Sequence, residues 1–164
     1  MRDESPFEKI TRLEEHLIKN PDLDLVVCPE LFISGYGNPE KINKFSENRE
    51  GQCAKKMSGL AKQFSTAIVY GYPESNSKQL FNSAQLFDKN GLSIANHRKK
   101  MLPPTANEST IFSPGEDSSI ITINGIRAAI VICYELEFPE LIRELALQEV
   151  VLIIAPTGQS SHWP

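Results

Sequence analysis

The sequence is poor in the features that mark several broad classes of protein. No apolar run approaches the roughly 20 residues that a membrane-spanning helix needs, so a membrane is not an expected partner. There is no excess of positive charge: 17 Lys+Arg stand against 21 Asp+Glu, a net charge of −4, and the longest basic run is Arg98-Lys99-Lys100. Nucleic acid is therefore not an expected partner either, since sequence-independent binding to it rests on clustered positive charge. Only three cysteines occur, Cys28, Cys53 and Cys133. They form no Cys-x-x-Cys pair and no Cys/His group at zinc spacing, so neither a metal site nor a disulfide framework is expected. The opening Met1-Arg2-Asp3-Glu4-Ser5-Pro6 has no apolar stretch of the kind a secretory signal carries. The expected location is the reducing cytoplasm, with each cysteine a free thiol.

What is present is globular composition, 40% apolar and 23% charged over 164 residues, a length that suits one ordinary domain. Residues 7–19 carry Phe7, Ile10, Leu13 and Leu17 at three- and four-residue steps and predict an amphipathic helix closed by Pro21. Leu23–Cys28 predicts a short buried strand that Pro29 ends. Ser34–Pro39 is a dense turn signal. Residues 51–65 predict a second helix and Thr66–Gly71 a second buried strand. Leu80–Asp88 and Leu92–His97 flank Asn90-Gly91, and Ile120–Ile123 and Ile126–Cys133 flank Asn124-Gly125; both patterns predict hairpins. Between them, residues 101–117 read as loop. A helix is predicted to open at Glu137-Phe138-Pro139, followed by a last strand, Val150–Ala155, and a polar loop, Gly158–Pro164. Helices alternating with strands predict a mixed α/β domain.

Three titratable residues fall at predicted strand ends, where α/β folds place their sites: Glu30, Lys99 and Cys133. Taken singly, each has an ordinary structural reading, as a loop acid, a solvated base and a core thiol. Taken together they make a nucleophile, a general base and a cationic stabiliser, because a thiol near pH 7 needs a neighbour to take its proton and a cation to favour the thiolate. That set suits attack on an amide or nitrile carbon.

These residues sit in stretches that resemble the three signatures of the nitrilase (carbon–nitrogen hydrolase) superfamily. The stretches are Val-Val-Cys-Pro-Glu-Leu-Phe-Ile-Ser-Gly-Tyr at 26–36, His-Arg-Lys at 97–99 and Ile-Cys-Tyr-Glu-Leu-Glu-Phe-Pro-Glu at 132–140. Gly71–Glu74, Phe81–Ala84 and Phe112–Gly115 are similar to the family as well, and the resemblance runs from about residue 8 to the end of the sequence. It implies Glu30 as general base, Lys99 as stabiliser of the tetrahedral intermediate and Cys133 as the nucleophile that forms a thioester. It also implies the backbone N–H of Tyr134 as a second oxyanion donor. Glu108 matches a further family glutamate that would position Lys99 or the substrate; the other reading is a loop acid. No cofactor is implied. The sequence departs from the family pattern at His97, where tyrosine is usual, at Lys100-Met101, and at Glu135, where aspartate is usual. Lys99 is preferred to Lys100 because it directly follows Arg98.

The fold implied is an αββα sandwich, of which the chain would hold the first half and part of the second. Residues 1–164 then form a single incomplete carbon–nitrogen hydrolase domain. The expected activity is hydrolysis of a small aliphatic amide or N-carbamoyl compound, in an amidase-like rather than nitrile-specific manner. The alternative is an inactive fragment or pseudoenzyme serving as an interaction module. Two substrate contacts are suggested. Tyr36 would wall the pocket or pack in its turn. Glu137 would favour an amine-bearing substrate over a carboxylate, or would complement a helix dipole. The complete form is expected to be a homo-oligomer joined in part by the helix at 139–149, and Cys28 and Cys53 are assigned to packing.

Overall fold

The computed structural model describes residues 4–76, 78–104 and 108–158. Helix α1 (Pro6–Lys19) opens on a reciprocal cap: the Glu8 N–H donates to Ser5 Oγ, and the Ser5 N–H donates to Glu8 Oε2 at 2.7 Å. It buries Ile10, Leu13 and Leu17, three of the four residues on the predicted apolar face; Phe7 is exposed. Strand β1 (Leu25–Val27) runs parallel to β2 (Ala67–Ser75), and α2 (Pro39–Lys44) and α3 (Gln52–Phe64) lie in the crossover between them. Strands β3 (Leu80–Phe87) and β4 (Ser93–Arg98) complete an antiparallel run in the order β1-β2-β3-β4. The second sheet has the order β5-β6-β7, from β5 (Ser119–Ile123), β6 (Ile126–Ile130) and β7 (Leu152–Ile154). Helix α5 (Pro139–Leu147) makes the crossover between the parallel pair β6 and β7.

Alternation along β2 shows how four layers form. Ile68, Tyr70 and Tyr72 face α1 and α3, packing with Leu13, Leu17 and Met57. Ala67 and Val69, on the other face, join Ala84 and Leu86 against Ala128, Ile130, Ile132 and Ile154 of the second sheet and its flank. The far face of that sheet, Ala129 and Val131, packs on Leu141 and Leu145 of α5. Helices, sheet, sheet and helix thus stack in the αββα order that the sequence resemblance implies, and each strand's period of two supplies two cores.

Local boundaries differ from the sequence reading where pairing decides them. Strand β2 continues past Gly71 to Ser75 because its residues Ile68–Ser75 pair with β3, a hairpin the sequence reading does not contain. Strand β6 stops at Ile130, so Cys133 lies in a 3-10 turn (Cys133–Glu137) rather than at a strand end. Glu137 closes that turn, and α5 opens at Pro139 with Phe138 as its cap. Helix α2 is also unforeseen; its Asn38 cap accepts from the Lys41 N–H at 3.0 Å. The stretch 101–117 holds one helical turn, α4 (Glu108–Ile111). The predicted loop Gly158–Pro164 lies outside the described residues from 159 onward. No helix among the described residues is long and apolar enough to cross a membrane.

Two features fix the loops that leave the first sheet. The buried Glu74 carboxylate of β2 accepts from Ser83 of β3, from Asn96 and Arg98 of β4, and from Arg49. These donors outweigh the effect of burial and hold its pKa down at about 2. Gly71 lets the Pro29–Leu31 segment cross directly over β2, where the Ile33 N–H donates to the Gly71 carbonyl. A Cβ at Gly71 would stand 2.5 Å from Leu31 N and 2.6 Å from the Pro29 oxygen. Gly71→Ala is expected to destabilise the fold by about 1–3 kcal/mol through overpacking against backbone, read as a lowered urea midpoint with unchanged m-value. A midpoint equal to that of the parent would show that the crossing tolerates a side chain.

Candidate active site

Four segments that leave the strands converge on one buried cluster. Glu30 follows β1, held in place by the Cys28 N–H donating to the Val69 carbonyl at 2.8 Å and by Lys9 Nζ donating to the carbonyls of Phe32 and Ile33. Lys99 directly follows β4 and prolongs the β3–β4 ladder, its N–H donating to the Asn82 carbonyl at 2.8 Å. Gly115 packs against the Arg98 backbone and donates its N–H to the Lys99 carbonyl; a Cβ there would collide with that backbone. Glu108 opens α4. Cys133 opens the 3-10 turn, and its N–H donates to the Pro156 carbonyl at 3.1 Å.

Lys99 is the centre of the cluster and is fully buried. Its ammonium donates to Glu30 Oε1 at 2.7 Å and to both Glu108 oxygens at 3.0 Å. Asn82 Nδ2 bridges the same two carboxylates, at 2.8 Å to Glu30 Oε1 and 3.3 Å to Glu108 Oε2. The Tyr36 hydroxyl donates to Glu108 Oε1 at 2.6 Å, and the Gly158 N–H donates to Glu30 Oε2 at 3.0 Å. Burial alone would lower the Lys99 pKa; the charges and hydrogen bonds of Glu30 and Glu108 outweigh it and raise it, so the ammonium stays charged. Burial and Glu108 push the Tyr36 hydroxyl up, which keeps it a donor.

Cys133 is half-buried and adopts φ 47°, a left-handed conformation that costs a non-glycine residue about 1–3 kcal/mol. Burial and then the Glu30 carboxylate push its thiol up to about 11, while Lys99 pulls it down. Tyr134 is the second residue of the turn, so its N–H is one of the first-turn donors that have no acceptor within the turn itself. A cleft lined in part by Glu30, Tyr36, Thr157 and Gly158 reaches the Glu30 side of the cluster, while Lys99, Glu108 and Cys133 do not line it. Among the described residues, no three His, Cys, Asp or Glu side chains group as metal ligands would.

The carbon–nitrogen hydrolase family model matches residues 2–164. The chain belongs to this family. It is 38% identical over 152 residues to the "Hydrolase in pqqF 5'region" of Pseudomonas protegens, covering 91% of this chain and 53% of that protein. It is 30% identical over 137 residues to an (R)-stereoselective amidase of a Pseudomonas species, covering 84% of this chain and 49% of that one. The crystal structure of a carbon–nitrogen hydrolase from Helicobacter pylori superposes with a TM-score of 0.83 at 25% identity, over 96% of this chain and 56% of that chain. The chain thus spans about half the length of the curated relatives it matches.

Of the residues singled out in this carbon–nitrogen hydrolase sequence, Glu30, Lys99, Glu108 and Tyr36 meet in one hydrogen-bonded cluster, with Cys133 against Glu30. Tyr36 lines the cleft and also points its hydroxyl at Glu108. Glu137 is exposed and makes no ion pair with a described residue. Asn82 and Gly158 were not singled out as site residues. Asn82 lies in Phe81–Ala84, a stretch noted only for its family resemblance; its burial on β3, which requires partners, is seen only in the structure. Nothing in the sequence separates Gly158 from an ordinary loop glycine.

Cys28 and Cys53 are buried thiols, each raised to about 12, so alkylation should reach Cys133 first. The rate at Cys133 is expected to climb as pH rises towards about 11. In Glu30→Gln the negative charge that raises the thiol is gone, so the midpoint moves to lower pH. Iodoacetamide labelling of the Cys133 peptide, followed by mass spectrometry across pH, checks this; an upward or absent shift contradicts the placement of Glu30 beside the thiol.

Proposed function

We propose that the protein hydrolyses the C–N bond of small amides, or of N-carbamoyl compounds, through a thioester on Cys133. The observation that carries this reading is the buried Lys99 ammonium held between Glu30 and Glu108, with Cys133 against Glu30. Membership of the family and the 30% identity to an amidase support the same reaction class.

The Cys133 thiol gives its proton to the Glu30 carboxylate as the sulfur attacks the amide carbon. Because the resting thiol is neutral, the proton leaves only when the new C–S bond forms. Negative charge then builds on the carbonyl oxygen, and the Lys99 ammonium and the Tyr134 N–H receive it. Collapse breaks the C–N bond, and the leaving nitrogen takes the proton from Glu30. A water molecule next gives a proton to Glu30 while its oxygen attacks the thioester. The sulfur leaves, recovers that proton, and a carboxylic acid departs. Glu108, held by Tyr36 and Asn82, keeps Lys99 at the oxyanion position and charged.

Cys133→Ala should abolish turnover of a small aliphatic amide, and Glu30→Gln should lower kcat by at least about 100-fold, the scale of a lost general base. Ammonia release by the intact protein is the measurement; undiminished release from Cys133→Ala rejects the mechanism. Glu137, exposed at the end of the nucleophile turn, is the finer part of the reading and selects amine-bearing or neutral amides over carboxylate-bearing ones. Glu137→Arg is expected to reverse that ranking in kcat/KM. An unchanged ranking would leave Glu137 with only a structural role.

A further inference from the structure

One buried carboxylate stands outside the Lys99 cluster yet joins the segments that carry the thiol and the ammonium. Glu135 lies two residues after Cys133 and is fully buried. Its Oε2 accepts from the Ile132 N–H at 2.6 Å and from His97 Nε2 at 2.8 Å, and its Oε1 accepts from the Lys100 N–H at 2.8 Å. The donors are the residue before Cys133, the residue after Lys99, and the penultimate residue of the strand that delivers Lys99. His97 is itself buried, and its Nδ1 has no partner among the described residues, so the ring's polar contact is with Glu135 alone. Ile132 and Pro156 hold the two sides of the left-handed Cys133 backbone, the first through Glu135 and the second through the Cys133 N–H.

We propose that Glu135, seated on His97, is a positioning residue that sets the spacing between Cys133 and Lys99. The inference rests on the reading that these two residues act on one amide carbon. Burial raises the Glu135 carboxyl, but His97 and the two N–H groups outweigh it and keep the group ionised. An ionised carboxylate has only acceptors, which matches three donors. Glutamine at this position has one acceptor oxygen and an amide NH2 group, so at least one of the three donors would meet another donor. The nucleophile turn or the Lys99 segment then loses its tie, and a displacement of 1 Å at a reacting group costs about 100-fold in rate.

The test uses the intact protein with Glu135→Gln and His97→Phe. Steady-state kinetics on a small aliphatic amide are measured together with the pH profile of iodoacetamide labelling at the Cys133 peptide. Among the described residues, the ionisable groups that face this thiol are Glu30, Lys99 and Tyr36. Glu135→Gln is expected to lower kcat about 100-fold with KM within about twofold, and to move the labelling midpoint upward as Lys99 separates from the sulfur. His97→Phe keeps both backbone ties and should do the same to a smaller extent. Parental kcat and midpoint in folded Glu135→Gln would overturn the proposal. So would a loss of activity that only follows the folded fraction, with the midpoint unmoved. Should Glu135→Gln fail to fold, the His97→Phe midpoint decides in the same way. Absence of amide turnover in the parent would reject the proposed function; the midpoint shift would still decide whether Glu135 positions the thiol against Lys99.

Discussion

The Lys99 ammonium, buried between two carboxylates, is the interaction on which the rest of the structure depends. An isolated buried charge costs several kcal/mol, and removing one partner of such a group leaves another charge stranded. Here each carboxylate has its donors, while the Asn82 side-chain oxygen has no partner among the described residues. Glu30 receives Lys99, Asn82 and the Gly158 N–H, and Glu108 receives Lys99, Asn82 and the Tyr36 hydroxyl. Two carboxylates and one ammonium leave an excess of negative charge, and the neutral donors of Asn82, Tyr36 and Gly158 offset it. The scaffold serves this arrangement: Gly71 lets the Glu30 segment cross β2, Gly115 lets a loop pack on Arg98, and the Glu74 network ties β2 and β3 to β4, the strand that leads to Lys99.

The same charges shape the thiol. Many reactive cysteines are activated by a cation that leaves them ionised at rest. Cys133 instead faces Glu30 and stays protonated, with Lys99 as the opposing influence. The arrangement separates two tasks that a simple thiolate–cation pair would merge. In the proposed mechanism, Glu30 would take the proton and Lys99 would meet the charge that forms on the substrate. A neutral resting thiol is also less exposed to adventitious oxidation.

Much of the fold was legible in the sequence because local signals agreed with the final packing. The Asn124-Gly125 turn adopts positive φ at both residues, as the hairpin reading requires, and the apolar face of α1 is buried at Ile10, Leu13 and Leu17. What was not legible depended on partners distant in sequence. Strand β2 runs to Ser75 only because β3 pairs with it there. Cys133 sits three residues beyond its strand because the Pro156 carbonyl and the Glu135 side chain hold the chain in a turn. The apolar run Ile130–Cys133 carries no sign of that turn. At the site, Glu30, Lys99 and Cys133 stood out by type and place, and Glu108 by its resemblance. Asn82, Gly158 and the Glu135–His97 pair act through hydrogen bonds across as many as 128 positions, between Glu30 and Gly158, which no local pattern encodes.

The central claim is that Cys133 carries the acyl group of an amide substrate. Rapid acid quenching of the intact protein with a small aliphatic amide, followed by peptide mass spectrometry, tests it most directly. The account predicts one acyl group on the Cys133 peptide, carrying the mass of the substrate acid less water, and none on Cys28 or Cys53. Turnover with no acyl group on Cys133 at any quench time, or an acyl group on another residue instead, would contradict it.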